Sequence, residues 1–106
     1  MNRREHLLTC LGEECVEVAQ RCSKALRFGL DEIQPGQDQT NARRIYGEYI
    51  DLLAVMRMLV EDGAIAEKQS LEIEMMMEDK RVKVEKFLRY SAHMGTLTEN
   101  EPSQPA

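Results

Sequence analysis

Between Thr40 and Gly63 the chain places Ile45, Leu52, Val55, Met56 and Leu59 at spacings that only an α-helix gathers into one stripe, and Glu48 falls in the middle of that stripe. Asp51 lies at its edge. A carboxylate pushed into a low-dielectric seam is costly unless it is paired, protonated or bound to a cation. Whatever this chain folds into must therefore bury one side of a helix and compensate an acid on that same side.

The device is repeated earlier in the chain, at Glu13-Glu14-Cys15-Val16-Glu17. Glu14 with Glu17, and Glu48 with Asp51, are three residues apart and share a helical face, so each pair can chelate one cation. At about 100° per residue, Glu13, Glu14 and Glu17 fall within about a quarter of their helix's circumference. A divalent ion compensates such acids directly, and Mg²⁺ prefers a few carboxylates together with waters and substrate phosphates. Mn²⁺ is a possible substitute. The plainer reading is that these are solvated acids with ordinary helical salt bridges, such as Glu17 to Arg21; for Glu48 and Asp51 the apolar stripe argues against it. Gly12 and Gly47 precede the two acid pairs inside helices, at a cost of roughly 1 kcal/mol each relative to alanine. The repetition suggests close backbone approach at the site, or a tight helix crossing without a ligand.

Three helical segments are legible, each stopped by a glycine. The first runs from about Arg4 to Phe28 and stops at Gly29, with an apolar face of Leu7, Leu8, Leu11, Cys15, Val18, Cys22, Ala25 and Leu26 bordered by the acids. The second starts near Thr40 or Asn41, either of which can cap it, and stops at Gly63. Ile50, Leu53 and Val60 lie away from the Glu48 stripe, which makes this helix apolar on more than one side and therefore central. The third runs from about Ala66 to His93 and stops at Gly95, with Leu71, Met75, Val82, Phe87 and Leu88 apolar and a basic second half. Met75, Met76 and Met77 read as flexible core or interface filling. The Pro35-Gly36 turn marks a loop, residues 30–39, that leaves the first helix near Lys24 and Arg27 and could cover a substrate. The expected architecture is all-α: three long helices forming a helical bundle that a second copy completes, a homo-oligomer, dimer or tetramer. Residues 1–95 form the domain and 96–106 a disordered tail.

A formal net charge of −5 argues against binding a nucleic-acid polymer. No run of eighteen apolar residues exists to span a membrane, and acids occupy the place where a secretory signal would be apolar, so a cytoplasmic protein is expected. Cys10, Cys15 and Cys22 all lie on the first helix without Cys-x-x-Cys spacing; Cys15 and Cys22, about 10 Å apart, cannot bridge. Buried reduced thiols are expected. His6 and His93 read as surface residues, and no Ser-His-Asp or Cys-His arrangement is apparent. A carboxylate-bridged di-iron bundle would need Glu-x-x-His pairs, which the chain lacks.

The order Glu-Glu-x-x-Glu, a gap, then Glu-x-x-Asp, on the first two helices of a small all-α chain, resembles the MazG-like nucleoside triphosphate pyrophosphohydrolases. The likeness covers the helical frame from about Leu7 to Leu88, with a gap slightly longer than the family pattern. It implies a nucleoside triphosphate diphosphatase that hydrolyses the α-β phosphoanhydride bond of a (d)NTP, giving a (d)NMP and pyrophosphate, in a nucleotide-pool role. By that resemblance Glu14, Glu17, Glu48 and Asp51 are Mg²⁺ ligands, and Glu13 is a further ligand or orients the attacking water; these five form the catalytic set. Short single-domain relatives also occur in phages, so a phage-type enzyme acting in a host cytoplasm fits the same likeness. Independently of the name, phosphoryl transfer to water needs an activated nucleophile and charge neutralisation, which metal-bound acids supply. Lys24, on the Glu13 and Glu17 side of its helix, is the first candidate for a phosphate contact, followed by Arg27, Lys80 and Lys83. The alternative is a non-catalytic helical interaction module with a divalent-cation site.

Overall fold

The computed structural model describes residues 1–98, which contain three α-helices and no strand: α1, Arg3–Phe28; α2, Asn41–Glu61; and α3, Ser70–His93. The all-α expectation holds. The described chain divides into two compact units, one ending at Ala66 and holding α1 and α2, the other beginning at Glu67 and holding α3. Most of the expected disordered tail, from position 99 on, lies outside the described residues.

The start of α1 is a capping box. Asn2 Oδ1 accepts from the Glu5 amide at 2.8 Å, and Glu5 Oε1 accepts from the Asn2 amide at 3.3 Å, so two N–H groups that the helix cannot satisfy are paired reciprocally. Thr40 caps α2, its hydroxyl accepting from the Arg43 amide, and Asn41 is the first helical residue. α2 stops in a Schellman turn: Gly63, at φ 82°, donates to Val60 O, and the next amide, Ala64, donates to Leu59 O. Gly95 closes α3 the same way, with Thr96 donating to Ser91 O.

α1 and α2 pack as an antiparallel hairpin, tied at both ends. At one end Arg4 Nε meets Asp62 Oδ2 at 2.9 Å and Arg4 Nη2 donates to Asp62 O, joining the first turn of α1 to the cap of α2. At the other end the connecting loop is pinned rather than slack. Asn41, 1% exposed, donates its side-chain amide to Gly29 O and to Glu32 Oε1, both at 2.9 Å. The Asn41 and Ala42 amides donate to Glu32 O and Leu30 O, and Arg44 donates to Gln34 Oε1. Within the loop, Gln34-Pro35-Gly36-Gln37 closes a turn with Gly36 at φ 88°, the positive φ that such a Pro-Gly pair provides. Leu7 and Ala25 of α1 and Leu59 of α2 are buried, flanked by half-buried Leu11, Val18, Ile45, Leu52, Val55 and Met56.

Several expectations need correction. The inward face of α1 is Leu7, Cys10, Leu11, Glu14, Val18, Arg21 and Ala25; Cys15 and Cys22 are exposed and Cys10 is half-buried, so the thiols are not core residues. The sequence offers two adjoining apolar stripes on α1, and α2 covers the one that contains Glu14. Glu14 thus sits inside the packed face instead of bordering it. Gly12 and Gly47 do not mark close approach: a Cβ built at either meets nothing within 4 Å. α3 begins at Ser70, not Ala66, because Ala64 and Ile65 direct their amides back to Leu59 O and the following residues run on to Gln69, the extended N-cap. No residue of α3 is buried, its three methionines included, and on the outer side of α2 Ile50 and Leu53 are exposed.

Candidate functional site

Two regular helices supply the acidic cluster. On α1, Glu14 and Glu17 are one turn apart; on α2, Glu48 lies within the stripe that packs against α1, and the helix crossing brings the three carboxylates together. One oxygen from each of Glu14, Glu17 and Glu48 lies within 4.8 Å of the others. Glu14 and Glu48 are half-buried and Glu17 is exposed. Glu14 Oε2 and Glu48 Oε2 are sealed from solvent and have no hydrogen-bond partner among the described residues. Such acceptors are expensive to leave unsatisfied.

The electrostatics agree with that crowding. Burial, first, and then the charges of Glu17 and Asp51 push the Glu14 carboxyl above its ordinary range. Glu48 is pushed the same way by burial, by a hydrogen bond to Glu17 and by the charges of Glu17, Asp51 and Glu14. Two carboxyl groups hydrogen-bond only when one carries a proton. The cluster therefore has two ways to become tolerable, holding a proton or holding a cation. Three converging oxygen donors without nitrogen or sulfur suit a hard divalent ion such as Mg²⁺, and two unpaired sealed oxygens are what such an ion would satisfy.

The other anticipated residues are placed as follows. Asp51 is exposed, outside the triad of oxygens, yet close enough for its charge to act on both Glu14 and Glu48. Glu13 is exposed on α1 and lines a shallow depression with Thr9, Gly12, Val16, Glu17 and Gln20. Lys24 and Arg27 lie at the far end of α1, about 10 Å along the axis from Glu17 in the case of Lys24. They line a depression of about 400 Å³ with Phe28, Glu32, Gln34, Pro35 and Asn41, beneath the pinned loop. The Arg27 guanidinium stacks 5.2 Å from the Phe28 ring centroid. Lys80 and Lys83 are exposed on α3, in the other unit. His6 and His93 are exposed, as expected.

Sequence position alone did not mark out one further inward-facing residue of α1. Arg21 is half-buried on the inward face of α1, and its Nη1 is sealed with no hydrogen-bond partner among the described residues. Among the described residues no ion pair joins it to Glu17, so the ordinary helical salt bridge is not formed. Its spacing of seven from Glu14 was the available signal, since residues seven apart return to the same helical line. Compared with protein-family profiles, curated proteins and solved structures, the chain matches none of them.

Proposed function

We propose that the chain is a Mg²⁺-dependent nucleoside triphosphate pyrophosphohydrolase, turning a (d)NTP into a (d)NMP and pyrophosphate. The observation that carries this reading is the convergence of Glu14, Glu17 and Glu48 from two helices, with sealed oxygens that nothing among the described residues satisfies. The resemblance to MazG-like enzymes supports it through the order of the acids. Glu14, Glu17 and Glu48 would hold the ion, with Asp51 completing the set from the edge. When bound, the ion supplies charge neutralisation on phosphate oxygens and makes a bound water more acidic.

The remaining work falls to the chain's own groups. Water's oxygen bonds to the α-phosphorus, the bond from that phosphorus to the bridging oxygen breaks, and pyrophosphate leaves. Glu13, exposed beside the cluster, orients the water and takes its proton. Arg21 brings a guanidinium charge to the same helix face, which favours a bound phosphate. Lys24 and Arg27 provide further positive charge under the loop for contact with the substrate's phosphates. Lys80 and Lys83 remain candidates for phosphate contact within a homo-oligomer.

The test is to incubate the purified chain with each common ribo- and deoxynucleoside triphosphate, with Mg²⁺ and with chelator, and to identify the products. Monophosphate and pyrophosphate should appear only with the metal. Glu48→Gln should lower turnover by about 10²-fold or more, the size of effect seen when a metal-site or charge-stabilising group is removed. No turnover of any triphosphate, or full activity in Glu48→Gln, overturns the proposal. A second reading, a non-catalytic interaction module with a divalent-cation site, is favoured by the exposed apolar side chains of α3. It predicts thermal stabilisation by Mg²⁺ without any product.

A further inference from the structure

α3 carries a pattern that the acidic cluster does not use. Ile73, Met77, Lys80, Val84, Phe87 and Ser91 alternate at four and three residues, the seam of a coiled coil, with Leu88 beside it. The seam is not covered: Met77 is 61% exposed and Phe87 65%. The charges are divided along the helix length. Ser70–Asp79 holds four acids and no base, whereas Lys80–His93 holds five lysines and arginines, a histidine and one acid.

Helix polarity accounts for only part of this division. The macrodipole favours acids in the first turn and bases in the last, and its influence falls off within a turn. Glu72 and Arg89 can be explained that way. Glu78, Asp79, Lys80, Arg81 and Lys83 stand near the middle, where the dipole gives no preference. Within the helix, only Glu78 and Arg81 use their charges on each other, in a two-pronged pair at 2.8 and 2.9 Å.

We propose that α3 pairs antiparallel with α3 of a second copy of this chain. Turned end for end, each acidic half lies along the other copy's basic half, and the apolar seam is shared about a two-fold axis near the middle of the helix. Parallel pairing would set acid against acid and base against base over the whole length. The charge division thus selects the orientation, and the seam supplies the contact. Lys80 in the seam weakens the pair while helping to fix its register, as a polar seam residue does. The pairing gives a specific form to the homo-oligomer in the functional reading, but does not rest on hydrolysis.

The test reads mass and distance rather than turnover, so an inactive protein leaves the pairing intact. Sedimentation equilibrium of the full chain should show a dimer. Glu72→Lys, Glu74→Lys and Glu78→Lys together make both halves basic and should weaken it by about 10-fold or more. Adding Lys80→Glu, Lys83→Glu and Lys86→Glu should restore it, because the two halves again differ in sign. Val84→Asp with Phe87→Asp should give a monomer whose circular dichroism keeps the α1–α2 hairpin. With the native cysteines replaced by serine, spin labels at position 70 should lie about 30 Å apart or more across the dimer, and labels at position 83 under about 20 Å. A monomer at every concentration overturns the proposal. So does a dimer indifferent to these α3 variants, or one with short label distances at both positions.

Discussion

The raised pKa of Glu14 and of Glu48 has a thermodynamic consequence in the absence of any ion. Each group keeps its proton to higher pH in the folded chain than in the unfolded one, whose carboxyls titrate near the ordinary value of 4.5. The folded state therefore gains from these groups below that value, and the gain is lost as pH rises through their elevated pKa. With chelator present, the melting temperature should fall as pH rises above the ordinary carboxylate range, and Glu48→Gln should flatten that fall and melt higher at neutral pH. Mg²⁺ should reverse the order at neutral pH, stabilising the wild type more than the variant. A melting curve indifferent to pH and to Mg²⁺ in both proteins would show that the cluster is simply solvated. At this scale Glu48 was legible because five apolar neighbours fix its helical phase. Arg21 was not, since spacing alone assigns it equally well to a pairing with Glu17.

Elements were read with unequal success, and the reason is the number of stripes each helix offers. α2, although apolar on more than one side, has one stripe marked by Glu48 at its centre, so its inward phase, its start near Thr40 or Asn41 and its glycine stop were legible in the sequence. α1 has two: Leu7, Leu11, Val18 and Ala25 on one side, and Leu8, Cys15, Cys22 and Leu26 on the next. Only docking against α2 decides between them, and no property of α1 alone contains that decision. The capping box at Asn2 and Glu5 was readable from its spacing but overshadowed by the neighbouring arginines. The interior glycines follow a different logic. With open space around Gly47, alanine there removes backbone freedom from the unfolded chain without meeting a neighbour, so Gly47→Ala should stabilise by about 0.5–1 kcal/mol in urea unfolding. A loss of stability would reveal a contact to that surface in solution.

For the molecule as a whole, the sparse set of buried apolar residues matters most. Leu7, Ala25 and Leu59 are buried in a chain whose α3 buries none, while many large apolar side chains face solvent. None of the described helices is long and apolar enough to cross a membrane. Association among copies would make stability depend on protein concentration. The melting temperature should rise with concentration for the wild type and stay constant for the Val84→Asp, Phe87→Asp variant. Periodicity in the sequence showed that these residues share helical faces; which face meets which partner depends on surfaces that a single chain does not contain.

The enclosure of Asn41 has a bearing on how the hairpin comes together. Its side chain joins Gly29 and Glu32, partners within a dozen positions along the chain, so this elbow can form before distant parts of α1 and α2 meet. Once it has formed, the two helices start close together and the search for their docked register is short. Asn41→Ala would remove the side-chain donor to the Glu32 carboxylate and leave the Gly29 carbonyl only the longer bond from the Glu32 amide, at about 1–3 kcal/mol. In stopped-flow experiments that loss should appear chiefly as slower folding, with the unfolding arm of the chevron little changed. Equal folding rates with faster unfolding would mean that the elbow closes last.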